Sequence, residues 1–191
     1  MEKVRCKWCN LKNKIYADYH DSEWGVESHD DAYLFELLLL ESFQAGLSWE
    51  CILNKRENFR ISFSNFDYSV IALYDEKKIE ELMKDSGIIR NRLKIKAAIN
   101  NAKIFMEIQK KYGSFDKYIW SFTNNKIIKG NGTSTTSSLS DKISLDLSSK
   151  GMKFVGSTIV YSYLQAIGVI NDHESICFLN KSWICLLFNI Q

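Results

Sequence analysis

The chain has 191 residues, 46% of them hydrophobic, with 25 basic against 23 acidic side chains and a net charge of +2. That is enough apolar material for one packed domain, but no window holds the roughly 18 apolar residues of a membrane span, and so small a net charge argues for nucleic acid only if basic residues cluster locally. The N-terminal MEKVRCKWCN lacks the apolar run of a secretion signal, and the five cysteines are an odd number. The expectation is a cytoplasmic protein whose thiols are free or bound to metal.

In chain order, Cys6 and Cys9 form a C-x-x-C, followed by His20 in YHDSEWG. Residues 30–46, DDAYLFELLLLESFQAG, have an acidic start, an apolar body and a glycine stop. Their apolar residues go all round a helix, which marks a central, buried one. Within it stands Glu41. Its helical neighbours Leu37, Leu38, Gln44 and Ala45 include no base. A buried carboxylate needs a partner or a raised pKa. It is either paired with an arginine from another helix or is a pocket acid for a donor-bearing ligand. Trp8, Tyr16, Tyr19, Trp24 and Trp49 crowd the nearby sequence and could form core or a stacking pocket for a flat base.

Ser48 caps a second helix through about residue 59, leaving Ala45, Gly46 and Leu47 on an exposed tip. A third helix starts at about Asp75 and stops at Gly87. A fourth follows to Gly113, with Ile95, Ile99, Ala102 and Phe105 at helical spacing. Between them, DSGIIRNRLKIKAA places Gly87, Ile88, Arg90, Arg92 and Lys94 on a hairpin opening a basic helix. This is either a phosphate-binding device or an ordinary solvated face. Ser114 caps a short helix, residues 123–138 form a polar loop, Ser140 or Asp141 starts a helix ending at Gly151, and a last helix covers about 156–167. No alternating strand pattern is evident, so the class is all-α, one domain over 1–191.

NDHESIC, residues 171–177, sets His173 and Cys177 one helical turn apart. Cys6 or Cys9, His20, His173 and Cys177 would give two thiolates and two imidazoles. This set suits Zn²⁺ and leaves no open coordination position. The other readings are a redox C-x-x-C or small buried thiols.

RCKW, YADYHDSEWGV, LESFQAGLSW, LNKREN, GIIRNRLKI, WSF, KFVGSTIVYSYLQAIG and NDHESIC, in this order, resemble the 3-methyladenine DNA glycosylase I family of helix-hairpin-helix base-excision enzymes. The resemblance implies an all-α fold with the helix-hairpin-helix at about 75–112 and a structural zinc on Cys6, His20, His173 and Cys177 joining the two ends of the chain. It implies that Glu41 contacts the excised base and that Tyr16, Tyr19 and Trp49 wall it, with Trp8, Trp24 and Ser162 beside them. Gly46 and Leu47 would fill the gap left by a flipped nucleotide. The superfamily's aspartate is absent from this family, and here Asn100 and Asn101 occupy that region. The implied activity is monofunctional, hydrolytic removal of 3-methyladenine from double-stranded DNA, by a monomer, with the free base as product. The alternative is a non-catalytic, zinc-stabilised DNA-binding module.

Overall fold

A computed structural model describes residues 3–180. The described chain is helical: α1 (Lys14–Ser22), α2 (Asp31–Gln44), α3 (Trp49–Leu53), α4 (Arg56–Ser62), α5 (Tyr68–Ile71), α6 (Glu76–Lys84), α7 (Arg92–Tyr112), α8 (Phe115–Ser121), α9 (Ser138–Ser149) and α10 (Ser157–Ala166). Cys185 and the apolar C-terminal segment lie outside the described residues.

With no proline in the chain, side-chain caps mark where helices begin. Asn13, Asp30, Ser48, Asp67, Asp75, Asn91, Ser114 and Ser137 each accept a backbone N–H at the start of a helix. α2 is the central element, with Leu34, Phe35, Leu37, Leu38, Leu39, Leu40 and Phe43 all buried. It packs against α3, α7, α8 and α10. Each such side chain contributes about 1.5–3 kcal/mol on burial, so α2 organises the domain and fixes whatever polar groups it carries.

Several expectations change. The helix from Ser48 is two helices, α3 and α4, broken at Asn54 and Lys55. α6 ends at Lys84, before Gly87. Ser137, through a capping box with Ser140, starts α9 earlier than expected. α1 and α5 are additions to the expected helices. Residues 128–129 (β1) and 170–171 (β2) form a short parallel pair, too brief for periodicity to reveal. Residues 171–177 are not helical. His173 and Cys177 come together through a turn in which Cys177 N–H donates to Glu174 O at 2.8 Å.

Candidate base pocket and metal centre

One cavity of about 220 Å³ lies between α1, α2, α10 and the 130–134 loop. Trp8, Tyr16, Tyr19, Trp24, Glu41, Trp49 and Ser162 line it, and so do Gln44, Gln165, Asp172 and Gly132, Thr133 and Ser134 of the loop. The aromatic walls are ordered by their own contacts. Trp8 meets Trp24 edge-on at 4.8 Å and Tyr16 at 5.4 Å, and Tyr19 meets Trp49 at 5.4 Å.

Four buried polar atoms in this lining lack a partner among the described residues: Tyr19 OH, Glu41 Oε2, Gln44 Oε1 and Trp49 Nε1. Buried polar groups are normally satisfied, so four together mark this cavity as a candidate ligand site. They offer two acceptors, one donor and one hydroxyl that can do either.

The two buried glutamates of α2 have opposite surroundings. Glu36 accepts from Arg56 Nε at 2.6 Å and from Arg60 Nη2 at 2.8 Å. It is the structural ion pair, while Glu41 faces no cation among the described residues. Burial alone pushes the Glu41 carboxyl well above the usual range, because the charged form has nothing to balance it. Burial likewise raises the Tyr16 phenol to about 12. The arginine-pair reading of Glu41 is therefore removed by Arg56 and Arg60 going to Glu36.

Gln44 and Trp49, both in the lining, bracket the tip that carries Gly46 and Leu47. Gly46 has φ +79, which an L side chain adopts only with strain, and a Cβ there would touch nothing. Leu47 is exposed beside it, an apolar side chain next to the cavity. Lys94 departs from the expected phosphate role. Its ammonium is buried and donates to Phe43 O at 2.8 Å and Ala45 O at 2.6 Å. It thus satisfies carbonyls left open at the end of α2 and fixes the root of the tip. Replacing Lys94 with Met should leave these carbonyls unpaired, costing about 1–3 kcal/mol by thermal melting.

In the 85–91 connection Ile88 is buried, Gly87 N–H is already taken by Asp85 Oδ1 at 2.7 Å, and Arg92 pairs with Glu76 and Glu80. Arg90 is exposed. Sequence reasoning misses another hairpin, residues 151–156, although GMKFVG between two helices is a visible signal. There Gly156 precedes α10 and gives it no side-chain cap, and Lys153 is exposed. Asn100 and Asn101 lie outside the cavity lining. Asn100 donates to Gly151 O at 2.9 Å and Asn101 bonds both backbone groups of Lys153 at 2.9 Å, so they hold this hairpin.

Cys6, His20, His173 and Cys177 are buried, and one ligand atom from each lies within 4.8 Å of the other three. Cys6 Sγ to His173 Nδ1, Cys177 Sγ to His173 Nδ1 and Cys177 Sγ to His20 Nε2 are each 3.5 Å. A tetrahedron with metal–sulfur bonds of about 2.3 Å and metal–nitrogen bonds of about 2.0–2.1 Å puts sulfur and nitrogen about 3.5 Å apart. The four side chains therefore fit such an ion. Asp21 Oδ1 lies 2.9 Å from His20 Nδ1 and orients the ring. Burial lowers His20 and takes His173 down to about 4, keeping both imidazoles in the ligating neutral form. Burial also raises the Cys6 thiol to about 12, so ionising it calls for a cation. Cys9 is buried but outside this cluster.

A profile described as Methyladenine glycosylase matches residues 8–180. DNA-3-methyladenine glycosylase 1 of Escherichia coli (strain K12) is 43% identical over 91% of this chain and 95% of its own length. The DNA-3-methyladenine glycosylase of Haemophilus influenzae is 39% identical over 91% and 96%. Among solved structures, a 3-methyladenine DNA glycosylase I superposes with a TM-score of 0.89 at 41% identity, covering 92% of this chain and 99% of that one. The Staphylococcus aureus enzyme, whose structure addresses 3-methyladenine recognition, gives 0.87 at 35%, covering 91% and 95%. A likeness running through almost the whole chain leads to one conclusion: the chain belongs to the methyladenine glycosylase family.

Proposed function

We propose that this protein removes 3-methyladenine from alkylated double-stranded DNA by hydrolysing the N-glycosidic bond. The products are free base and an abasic site. The observation that carries this is the aromatic cavity in which, among the described residues, Glu41 stands without a cation and three further polar atoms lack partners. Relatives that bear the activity in their names support it. A non-catalytic DNA-binding module would leave the cavity and its buried carboxyl without a purpose.

The substrate supplies much of the chemistry. Alkylation at N3 makes the base cationic and a good leaving group, so no acid need protonate it. When the glycosidic bond breaks, its electron pair goes to the base and cancels that charge, while water adds to the sugar carbon and gives up a proton. The protein's task is to extract the nucleotide and select the base. Ring faces of Trp8, Tyr16 and Trp49 favour a cationic ring by about 0.5–2 kcal/mol each. Glu41, ionised by the approach of that cation, accepts the base's N–H donors. Neutral adenine offers no such charge. Among the described residues no lysine lines the cavity, and the reading is of a monofunctional enzyme without a Schiff-base step.

Leu47, on the tip with Gly46, is read as the wedge that occupies the vacated stack. Leu47→Ala should slow excision from duplex DNA about tenfold or more while leaving free-base affinity unchanged. Loss of free-base binding would instead assign Leu47 to the pocket. Phosphates are read to be held by Arg90, by Arg92 on exchanging its exposed partners Glu76 and Glu80 for DNA, and by backbone N–H groups near Gly87 other than its own, joined by the open N-terminus of α10 and Lys153. Replacing Arg90 and Arg92 with Ala should weaken all duplexes alike and reduce the salt slope by about 0.9 for each phosphate no longer neutralised. An unchanged slope would leave the 151–156 hairpin as the phosphate surface.

The metal is read as zinc, held by Cys6, His20, His173 and Cys177. With four protein ligands it supplies no catalytic position and ties the first residues of the chain to residues 173–177. On this reading the protein works with the DNA inside the cell.

The experiment is titration with free 3-methyladenine. Trp8, Trp24 and Trp49 line the cavity, so their fluorescence reports its filling. Saturable quenching at one base per chain, with adenine much weaker, is expected. Equal response to adenine and 3-methyladenine would overturn the reading.

A further inference from the structure

The polar stretch after α8 has no place in the chemistry above, yet Gly132, Thr133 and Ser134 line the base cavity. Its base is pinned by the short strand pair. Ile128 N–H donates to Val169 O and Gly130 N–H to Asn171 O, both at 2.8 Å. Its tip is folded on Asn131, whose Oδ1 accepts from Thr133 N–H at 3.0 Å and Ser134 N–H at 2.9 Å. The two are joined by Asp172, which is buried and also lines the cavity. Its Oδ1 accepts from Gly132 N–H at 2.6 Å, and its Oδ2 from Gln165 Nε2 at 2.6 Å and Tyr161 OH at 3.0 Å.

Two observations make this more than a loop anchor. Gly130 approaches Asp172 so closely that a Cβ would come within 2.0 Å of Oδ1. The geometry admits no side chain there, which is the mark of a fixed approach. Behind the loop lies a second cavity of about 270 Å³, and Ser134 lines both. The loop is thus a thin partition with space on its far side. Among the described residues, its hydrogen-bond anchors and the packing of Glu174 beside Gly132 hold it against the base cavity.

We propose that the 130–134 loop is a specificity-determining wall of the base pocket and that Asp172 is the positioning residue that sets how close it stands to the base. The inference rests on the reading of the cavity as the alkylated-base site. Held in, the wall limits the cavity to a small N3-alkylated adenine. Let out, it admits a purine alkylated elsewhere.

The test uses duplex DNA treated with a methylating agent, which carries 3-methyladenine and 7-methylguanine together. The two compete in one tube, so the ratio of bases released reports the ratio of kcat/KM values and cancels differences in active fraction. Asp172→Asn removes one acceptor of the anchor. Gly130→Ala pushes the loop and Asp172 apart from the other side, away in sequence from His173. In each variant with a cooperative melting transition, the 3-methyladenine to 7-methylguanine ratio should fall by about tenfold or more, the scale of a pocket contact. A general loss of folded protein would lower both bases alike and leave the ratio unchanged. A ratio within twofold of the parent in both variants overturns the proposal, as does a change confined to Asp172→Asn and accompanied by metal loss. Failure of the unaltered protein to release 3-methyladenine would instead overturn the functional reading itself.

Discussion

Glu41→Gln should weaken binding of free 3-methyladenine by one to two orders of magnitude and, in the absence of base, raise the melting temperature at neutral pH. Gln keeps the shape and gives up the charge. A hydrogen bond to a charged group is worth about 1.5–3 kcal/mol, and each 1.4 kcal/mol is tenfold. The gain in stability follows from burial raising the carboxyl's folded pKa above its unfolded value. Between those two values the native state binds more protons, so stability falls as pH climbs from the ordinary carboxyl range toward the folded pKa. Gln removes that loss. The variant and parent should melt together at about pH 4, near the unfolded Glu value, and diverge as pH rises. Glu36→Gln is the contrasting case. It weakens the partly buried pairs with Arg56 and Arg60, which should cost about 1.5–3 kcal/mol, and should spare base affinity. If Glu41→Gln behaved as Glu36→Gln does, Glu41 would leave the site.

Metal loss should have the largest effect on stability. The four ligands join residues 6 and 20 to residues 173 and 177, so their bonds to a metal are folding energy. Structural zinc contributes about 10–16 kcal/mol in small peptides. If a third of that were lost here, about 4 kcal/mol, melting would drop by roughly 8–16 °C. Elemental analysis should give about one zinc per chain, and Cys6→Ala or His173→Ala should show the drop. Protein free of zinc that melts as before would contradict the assignment. Cys9→Ala should keep its metal, because Cys9 lies outside the cluster.

Much of this site is legible in the sequence because its parts are local. Helix caps, the apolar surround of Glu41 and the tip between Gly46 and Ser48 are set by neighbours in the chain. What escapes is set by distant ones. Lys94 looks like a surface base in LKIKAA, and only the carbonyls of Phe43 and Ala45, far away in the chain, take it inside. Glu36 and Glu41 share one helix, and the arginines of α4 decide which is paired. The 130–134 loop reads as polar filler until the pairing of residues 128–129 with 170–171 brings it to the cavity. His173 and Cys177 carry the opposite lesson. Their spacing suggests a helical turn, yet a tight non-helical turn brings the same two side chains together.

The most direct measurement of the central claim is chromatography of the bases released from methylated duplex DNA, with the abasic sites counted on the same sample. The account predicts 3-methyladenine as the dominant product, one abasic site per base released, intact strands, and a rate cut at least tenfold in Glu41→Gln. Release of no methylated base, or equal release of 3-methyladenine by parent and Glu41→Gln protein, would contradict it.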